Sequence, residues 1–194
     1  MLKSRYSNFI LECGVDEAGR GCLAGPVTAA AVILKPDFRH ILIDDSKKLS
    51  MLERQKLSRI IIENSISYSV QNIYPKKIDE INILNASFLA MHKAISSLKI
   101  APGLLLIDGN RFNSYPNINH ECIIKGDAKY LSIAAASILA KTYRDNLMNK
   151  LDVKHPQYGW KDNKGYPTKK HKIAIEKYGP TKEHRMSFNL WSDD

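Results

Sequence analysis

Apolar and polar positions recur along this chain with two periods, and the changes between them outline its elements. An apolar run over 9–15 predicts a first strand, and a Gly-rich turn separates it from a second run, Val27–Leu34. Apart from Thr28, the second run is apolar on both alternating faces, which predicts a buried, central strand. Residues 65–73 behave differently: Ile66, Tyr68 and Val70 alternate with Ser65, Ser67, Ser69 and Gln71. That pattern suits a half-exposed strand nearer a sheet edge. Between them, the polar loop Asp44-Asp45-Ser46-Lys47-Lys48 leads into a helix over about 50–64, with Ser50 placed to cap it.

Leu84, Phe88, Met91, Ile95 and Leu98 form one helical stripe that stops before Pro102-Gly103. Short strands at 104–107 and 121–124 each run into a turn, Asp108-Gly109-Asn110 and Lys125-Gly126-Asp127. A long helix is predicted from Leu131 to about Leu151, then a loop over 155–165 and a last helix over 168–178. Five strands interleaved with helices, the first two adjacent in sequence, predict an α/β architecture with a mixed sheet flanked by helices. No apolar run reaches the roughly 18 residues needed to span a bilayer, and the apolar stretch near the start is too short for a signal peptide. Cys13, Cys22 and Cys122 form no CxxC pair, so reduced thiols in a cytoplasmic protein are expected.

The acids share one address. Asp16-Glu17 closes the first strand, Asp108 the strand over 104–107, and Asp127 follows the strand over 121–124. Functional groups in open α/β sheets gather beyond the carboxyl ends of strands. Each acid alone reads as a turn or cap residue; three strand ends together point to a site. Crowded carboxylates need a cation, and hard oxygen donors suit Mg²⁺ or Mn²⁺. Asp16 and Glu17 are neighbours, so both project inward only if the strand breaks; otherwise one of them coordinates through its carbonyl. The net charge of +9 is concentrated in residues 141–185, which hold 12 Lys/Arg against 5 Asp/Glu. A polyanion such as nucleic acid is the expected partner. Lys47, Lys48, Lys141, Arg144, Lys164, Lys169 and Lys170 are candidates to hold it.

The run Gly14-Val-Asp-Glu-Ala-Gly-Arg-Gly21 nearly has P-loop spacing, but Arg20 and Gly21 stand where Lys and Ser/Thr are required. Its glycines also miss the GxGxxG spacing, so a nucleotide-cofactor site is a poor reading. Glycines flanking an arginine instead allow close backbone approach by something bulky.

Gly14-Val-Asp-Glu-Ala-Gly-Arg-Gly-Cys-Leu-Ala-Gly-Pro-Val27 resembles the opening signature of the ribonuclease HII family. Later segments resemble that family in order: Asp45–Ser50, Ile107–Asn110, Lys125–Asp127, Ile133–Lys141, His155–Trp160, Asn163–Thr168 and His184–Phe188. The resemblance implies an RNase H-like core over 1–152 and a helical C-terminal extension over 153–194, either separate or in one continuous domain. It implies a monomeric endoribonuclease that cuts the RNA strand of RNA–DNA hybrids and single ribonucleotides embedded in duplex DNA. The implied chemistry is a two-metal hydrolysis that leaves a 5′-phosphate and a 3′-hydroxyl. By position, Asp16, Glu17, Asp108 and Asp127 match the family's catalytic, metal-binding acids. Gly19, Arg20 and Gly21 match its ribonucleotide-reading run, and Tyr166 matches the tyrosine at the RNA–DNA junction. The basic region, with Lys47 and Lys48, is expected to hold the duplex.

Overall fold

The apolar run Val27–Leu34 forms β2, with β1 (Glu12–Ala18) antiparallel on one side and β3 (Ser65–Ile73) antiparallel on the other. Beyond β1 the sheet continues in parallel through β4 (Leu104–Asp108) and β5 (Asn119–Ile123), giving the order β3-β2-β1-β4-β5. The computed structural model describes residues 2–7, 11–40, 43 and 50–191. Lys47 and Lys48 lie outside the described residues.

Helices cover both faces of the sheet. Cys13 and Val15 of β1 face α2 (Pro75–Ser96) in a cluster with Phe88, Met91 and Ile95. On the opposite face, Ala30 and Val32 pack with Leu57 and Ile61 of α1 (Met51–Glu63) and with Ala135 and Leu139 of α3 (Leu131–Lys154). Ser50 caps α1 in a reciprocal capping box with Glu53. Thr28, the one polar residue of β2, is fully buried, and its hydroxyl donates to Asn72 Oδ1 at 2.6 Å. Among the described residues no helix is long and apolar enough to cross a membrane.

Three expectations need correction. β1 does not stop before Asp16: Asp16 pairs with Ala30 and Glu17 with Ala29, so the ladder to β2 carries the strand on to Ala18. The last strand ends at Ile123, leaving Ile124 exposed in a turn. The amphipathic helix begins nine residues before Leu84, at Pro75, and kinks at Asn82 (φ 63, ψ 166), whose side chain caps the second half by accepting from the Asn85 N–H. Phe88, Met91 and Ile95 are buried as the stripe requires, but Leu84 at the kink is 36% exposed.

Gly14 sets how closely α3 lies on the sheet. A Cβ there would stand 2.1 Å from the Ser132 carbonyl carbon, so the start of α3 rests on bare backbone of β1. α3 then carries the chain into a third cluster, where Tyr158, Trp160, Ala174 and Ile175 pack on Leu23, Ala24 and Met148. Here Trp160 opens α4 (Trp160–Asn163), and Ala174 and Ile175 belong to α5 (Lys169–Tyr178). The Trp160 indole N–H donates to His171 Nε2 at 2.9 Å, and the Thr181 N–H donates to His184 Nδ1 at 2.9 Å.

Gly14→Ala therefore forces α3 off β1. Overpacking of this kind costs about 1–3 kcal/mol or more, and calorimetry is expected to show a large fall in Tm or no folded protein. His184 is held neutral, mainly by burial and then by its neighbour His171, with its pKa lowered to about 4. The unfolded chain, with histidine near 6.5, binds more protons between those values, so stability falls as pH drops from about 6.5 toward 4. His184→Asn is expected to flatten that part of a Tm-versus-pH curve; an unchanged slope would refute the assignment.

Candidate active site

The parallel register Val15↔Ile107 makes Asp16 and Asp108 the next residues in line on adjacent strands. Strand alternation puts both on the α3 side of the sheet, together with Gly14 and Leu106. Asp16 is 6% exposed, and the Ser137 side chain of α3 hydrogen-bonds to it. Burial first, then the charges of Glu17 and Asp108, push its carboxyl well above the usual carboxylate range.

Glu17 follows on an unbroken strand and so leans to the other face, which closes the alternative in which the strand breaks there. Its backbone N–H donates to Asp16 Oδ1 at 2.7 Å, and its carboxylate pairs with Arg20 at 3.2 Å. Burial raises its pKa, Arg20 opposes that, and Asp108 adds to it. Asp108 Oδ1 accepts the Gly126 N–H at 2.6 Å. That bond ties the end of β4 to the 3-10 turn Gly126–Ala128, which carries half-buried Asp127. The structure thus couples Asp16, Glu17 and Asp108 electrostatically and places Asp127 one residue beyond the amide that binds Asp108.

Among the described residues no three His, Cys, Asp or Glu side chains are gathered tightly enough to hold a metal ion as they stand. An all-oxygen donor set, buried and self-repelling, fits a hard divalent cation and not zinc.

The glycine-arginine-glycine run leaves β1 at this point. Arg20 is exposed, and a Cβ on Gly21 would meet nothing within 4 Å, as expected of a face that something approaches. Gly19 has a different reason. Its φ is 89°, and a Cβ there would lie 2.0 Å from Arg144 Nε, so its missing side chain makes room for a buried arginine. Arg144 is correspondingly not a duplex contact: it is 2% exposed and bound to backbone carbonyls. Lys169 and Lys170 are exposed, Lys141 lies 3.7 Å from Asp145, and Lys164 donates to Asn149. Tyr166 is 42% exposed; the Arg144 guanidinium stands 6.0 Å from its ring, and its hydroxyl reaches Cys22.

Sequence reasoning missed Ser137 and the structural use of Arg144 and Arg185. Nothing in a linear pattern separates a buried arginine from a surface one. The signals available were the positions of Ser137 and Arg185 inside the matched segments Ile133–Lys141 and His184–Phe188.

A mixed sheet in this strand order, with acids crowded on adjacent strands beside a basic, open-faced loop, defines an RNase H-like nuclease. A family model described as ribonuclease HII matches residues 13–191. The ribonuclease HII of Christiangramia forsetii is 58% identical over 188 residues, covering 97% of this chain and 95% of that protein. The ribonuclease H2 structure from Pyrococcus horikoshii superposes with a TM-score of 0.78 at 29% identity, covering 92% of this chain and 94% of that one. A PCNA:RNase HII complex from Archaeoglobus fulgidus gives a TM-score of 0.80 at 25% identity, covering 95% and 98%. The chain belongs to the ribonuclease HII family, hydrolases that cleave RNA in RNA–DNA hybrids.

Because burial and the charges of Glu17 and Asp108 disfavour a carboxylate at this position, Asp16→Asn, which removes the ionisable group, is expected to stabilise the fold. Tm should rise by about 2–4 °C for each kcal/mol of relieved repulsion in a chain of this size, and nuclease activity should vanish. Mg²⁺ should raise the Tm of the wild type and not of the variant. A lower Tm for the metal-free variant would mean that the acids are not in conflict.

Proposed function

We propose that the chain cuts the RNA strand of RNA–DNA hybrids and also cuts at single ribonucleotides embedded in duplex DNA, with Asp16, Glu17, Asp108 and Asp127 as its catalytic acids. The observation that carries this reading is the ion pair from Glu17 to Arg20, which joins the crowded acids to the glycine-arginine-glycine run. A group that reads a ribose at that run lies beside the carboxylates that act on its phosphate.

Asp16, Asp108 and Asp127, with Glu17 through side chain or carbonyl, would hold Mg²⁺ or Mn²⁺, which would supply charge neutralisation and a water of lowered pKa for a two-metal hydrolysis. Asp16, on the central strand β1, would be one of the residues that hold the metal. Ser137 and the Glu17 N–H hold its carboxylate in place, and the Gly126 N–H does the same for Asp108. The products are a 5′-phosphate and a 3′-hydroxyl.

Recognition of RNA goes through the 2′-hydroxyl, which both donates and accepts hydrogen bonds. The open face of Gly21 admits the sugar, the exposed Arg20 fork braces the adjacent phosphate, and Tyr166 offers its ring to the next sugar. Exposed lysines such as Lys169 and Lys170 hold the duplex backbone, with Lys47 and Lys48 as further contacts. The enzyme acts as a monomer.

The test is a DNA duplex carrying one ribonucleotide, with an all-DNA duplex as control. The wild type is expected to cut only the first, in Mg²⁺ or Mn²⁺, and Asp108→Asn to lose cutting by several orders of magnitude. Tyr166→Ala should lose more activity on the single ribonucleotide than on a long hybrid. Equal losses on both would remove its junction role, and no cutting by the wild type would remove the reading as a whole.

A further inference from the structure

The loop that carries the glycine-arginine-glycine run lies on two arginines that face the protein interior. Arg185 is fully buried: its Nε donates to the Gly25 carbonyl at 3.0 Å, and its terminal nitrogens donate to the Arg20 and Gly19 carbonyls at 2.7 and 2.6 Å. Arg144 donates in the same way to Pro26 at 2.9 Å, Lys164 at 2.9 Å and Ala24 at 3.1 Å. Among the described residues neither guanidinium forms an ion pair with a carboxylate. Burial lowers the Arg185 pKa only to about 10, so the charge persists at neutral pH. Carbonyl oxygens accept from both guanidiniums, whose five donors lie in one rigid plane; the Phe188 ring also lies 5.1 Å from Arg185, and Asp79 attracts it at longer range.

The consequence for the loop follows from peptide geometry. No cis peptide bond is present, and in a trans peptide the C=O and the following N–H point in opposite directions. Drawing the Gly19 carbonyl inward turns the Arg20 N–H outward; drawing the Arg20 carbonyl inward does the same to the Gly21 N–H. Neither amide has a backbone or side-chain acceptor among the described residues. Two successive outward N–H groups with positive charge behind them attract an oxygen acceptor, and the exposed surface at Gly21 leaves room for one.

We propose that Arg185 is the positioning residue of ribonucleotide recognition: by fixing the Gly19 and Arg20 carbonyls it aims the Arg20 and Gly21 N–H groups at the 2′-oxygen of the substrate ribose. This rests on the reading of that run as the ribonucleotide reader. Arg185 touches no substrate; it acts through the backbone. Arg144 completes the frame, since its bonds to Ala24, Pro26 and Lys164 set the distance between this loop and Tyr166.

Arg185→Lys keeps the charge but cannot span three carbonyls, which makes it the discriminating variant. Binding is measured without divalent metal, so that nothing is cut, to a DNA duplex with one ribonucleotide and to the all-DNA duplex of the same sequence. The variant is expected to bind the ribonucleotide duplex about tenfold more weakly, as for one lost hydrogen bond, and the all-DNA duplex unchanged. Equal weakening of both, or of neither, overturns the proposal. If the variant does not fold, the wild type decides. Its Arg20 and Gly21 amide resonances should shift more with the ribonucleotide duplex than with all-DNA, and equal shifts overturn it. A wild type that cuts the embedded ribonucleotide while these readouts stay silent removes the role of Arg185 alone. A wild type that does not cut it removes both readings.

Discussion

The pairing of β1 with β4 sets two carboxylates side by side under α3, and much of the molecule is arranged around that conflict. Parallel register leaves Asp16 and Asp108 no choice of neighbour, and burial strips Asp16 of the water that would screen it. Such a pair survives only because its backbone is over-determined. β1 is hydrogen-bonded on both edges, and Gly14 lets the start of α3 rest directly on it. The strain is electrostatic, from burial and like charge at one place.

Opposite charge is placed as deliberately. Arg144 and Arg185 lie beneath the loop that leaves β1, engaged by carbonyls and by no carboxylate within the described residues. The carbonyls hold both guanidiniums in place against the loop. Glu17 and Arg20 join the negative and positive halves through one ion pair, so the acids and the glycine-arginine-glycine loop are parts of one turn. The C-terminal segment belongs to the same assembly, because Gly165 accepts from Leu23 and Ala24, and Arg185 reaches back to Gly19.

The surface charge is correspondingly less uniform than the +9 implies. Two of the twelve basic residues in 141–185, Arg144 and Arg185, are interior framework. The other ten are lysines, Lys169 and Lys170 among them exposed, while the two arginines contact backbone carbonyls.

Periodicity determined a good deal by itself. The unbroken apolar faces of Val27–Leu34 marked the buried strand, the alternation over 65–73 marked the edge, and short motifs placed the acids at strand ends, since each depends on a local repeat or a short motif. Tertiary structure decided the rest. Whether β1 stopped before Asp16 depended on β2 remaining its partner through Ala18, and the need for glycine at position 19 depended on an arginine 125 residues away in sequence. Arg144 and Lys169 look alike in a sequence, for both are cations on predicted helices. Only the packing of α3 and the C-terminal loops against residues 19–26 buries one and exposes the other, because burial is a property of distant neighbours and not of the residue itself.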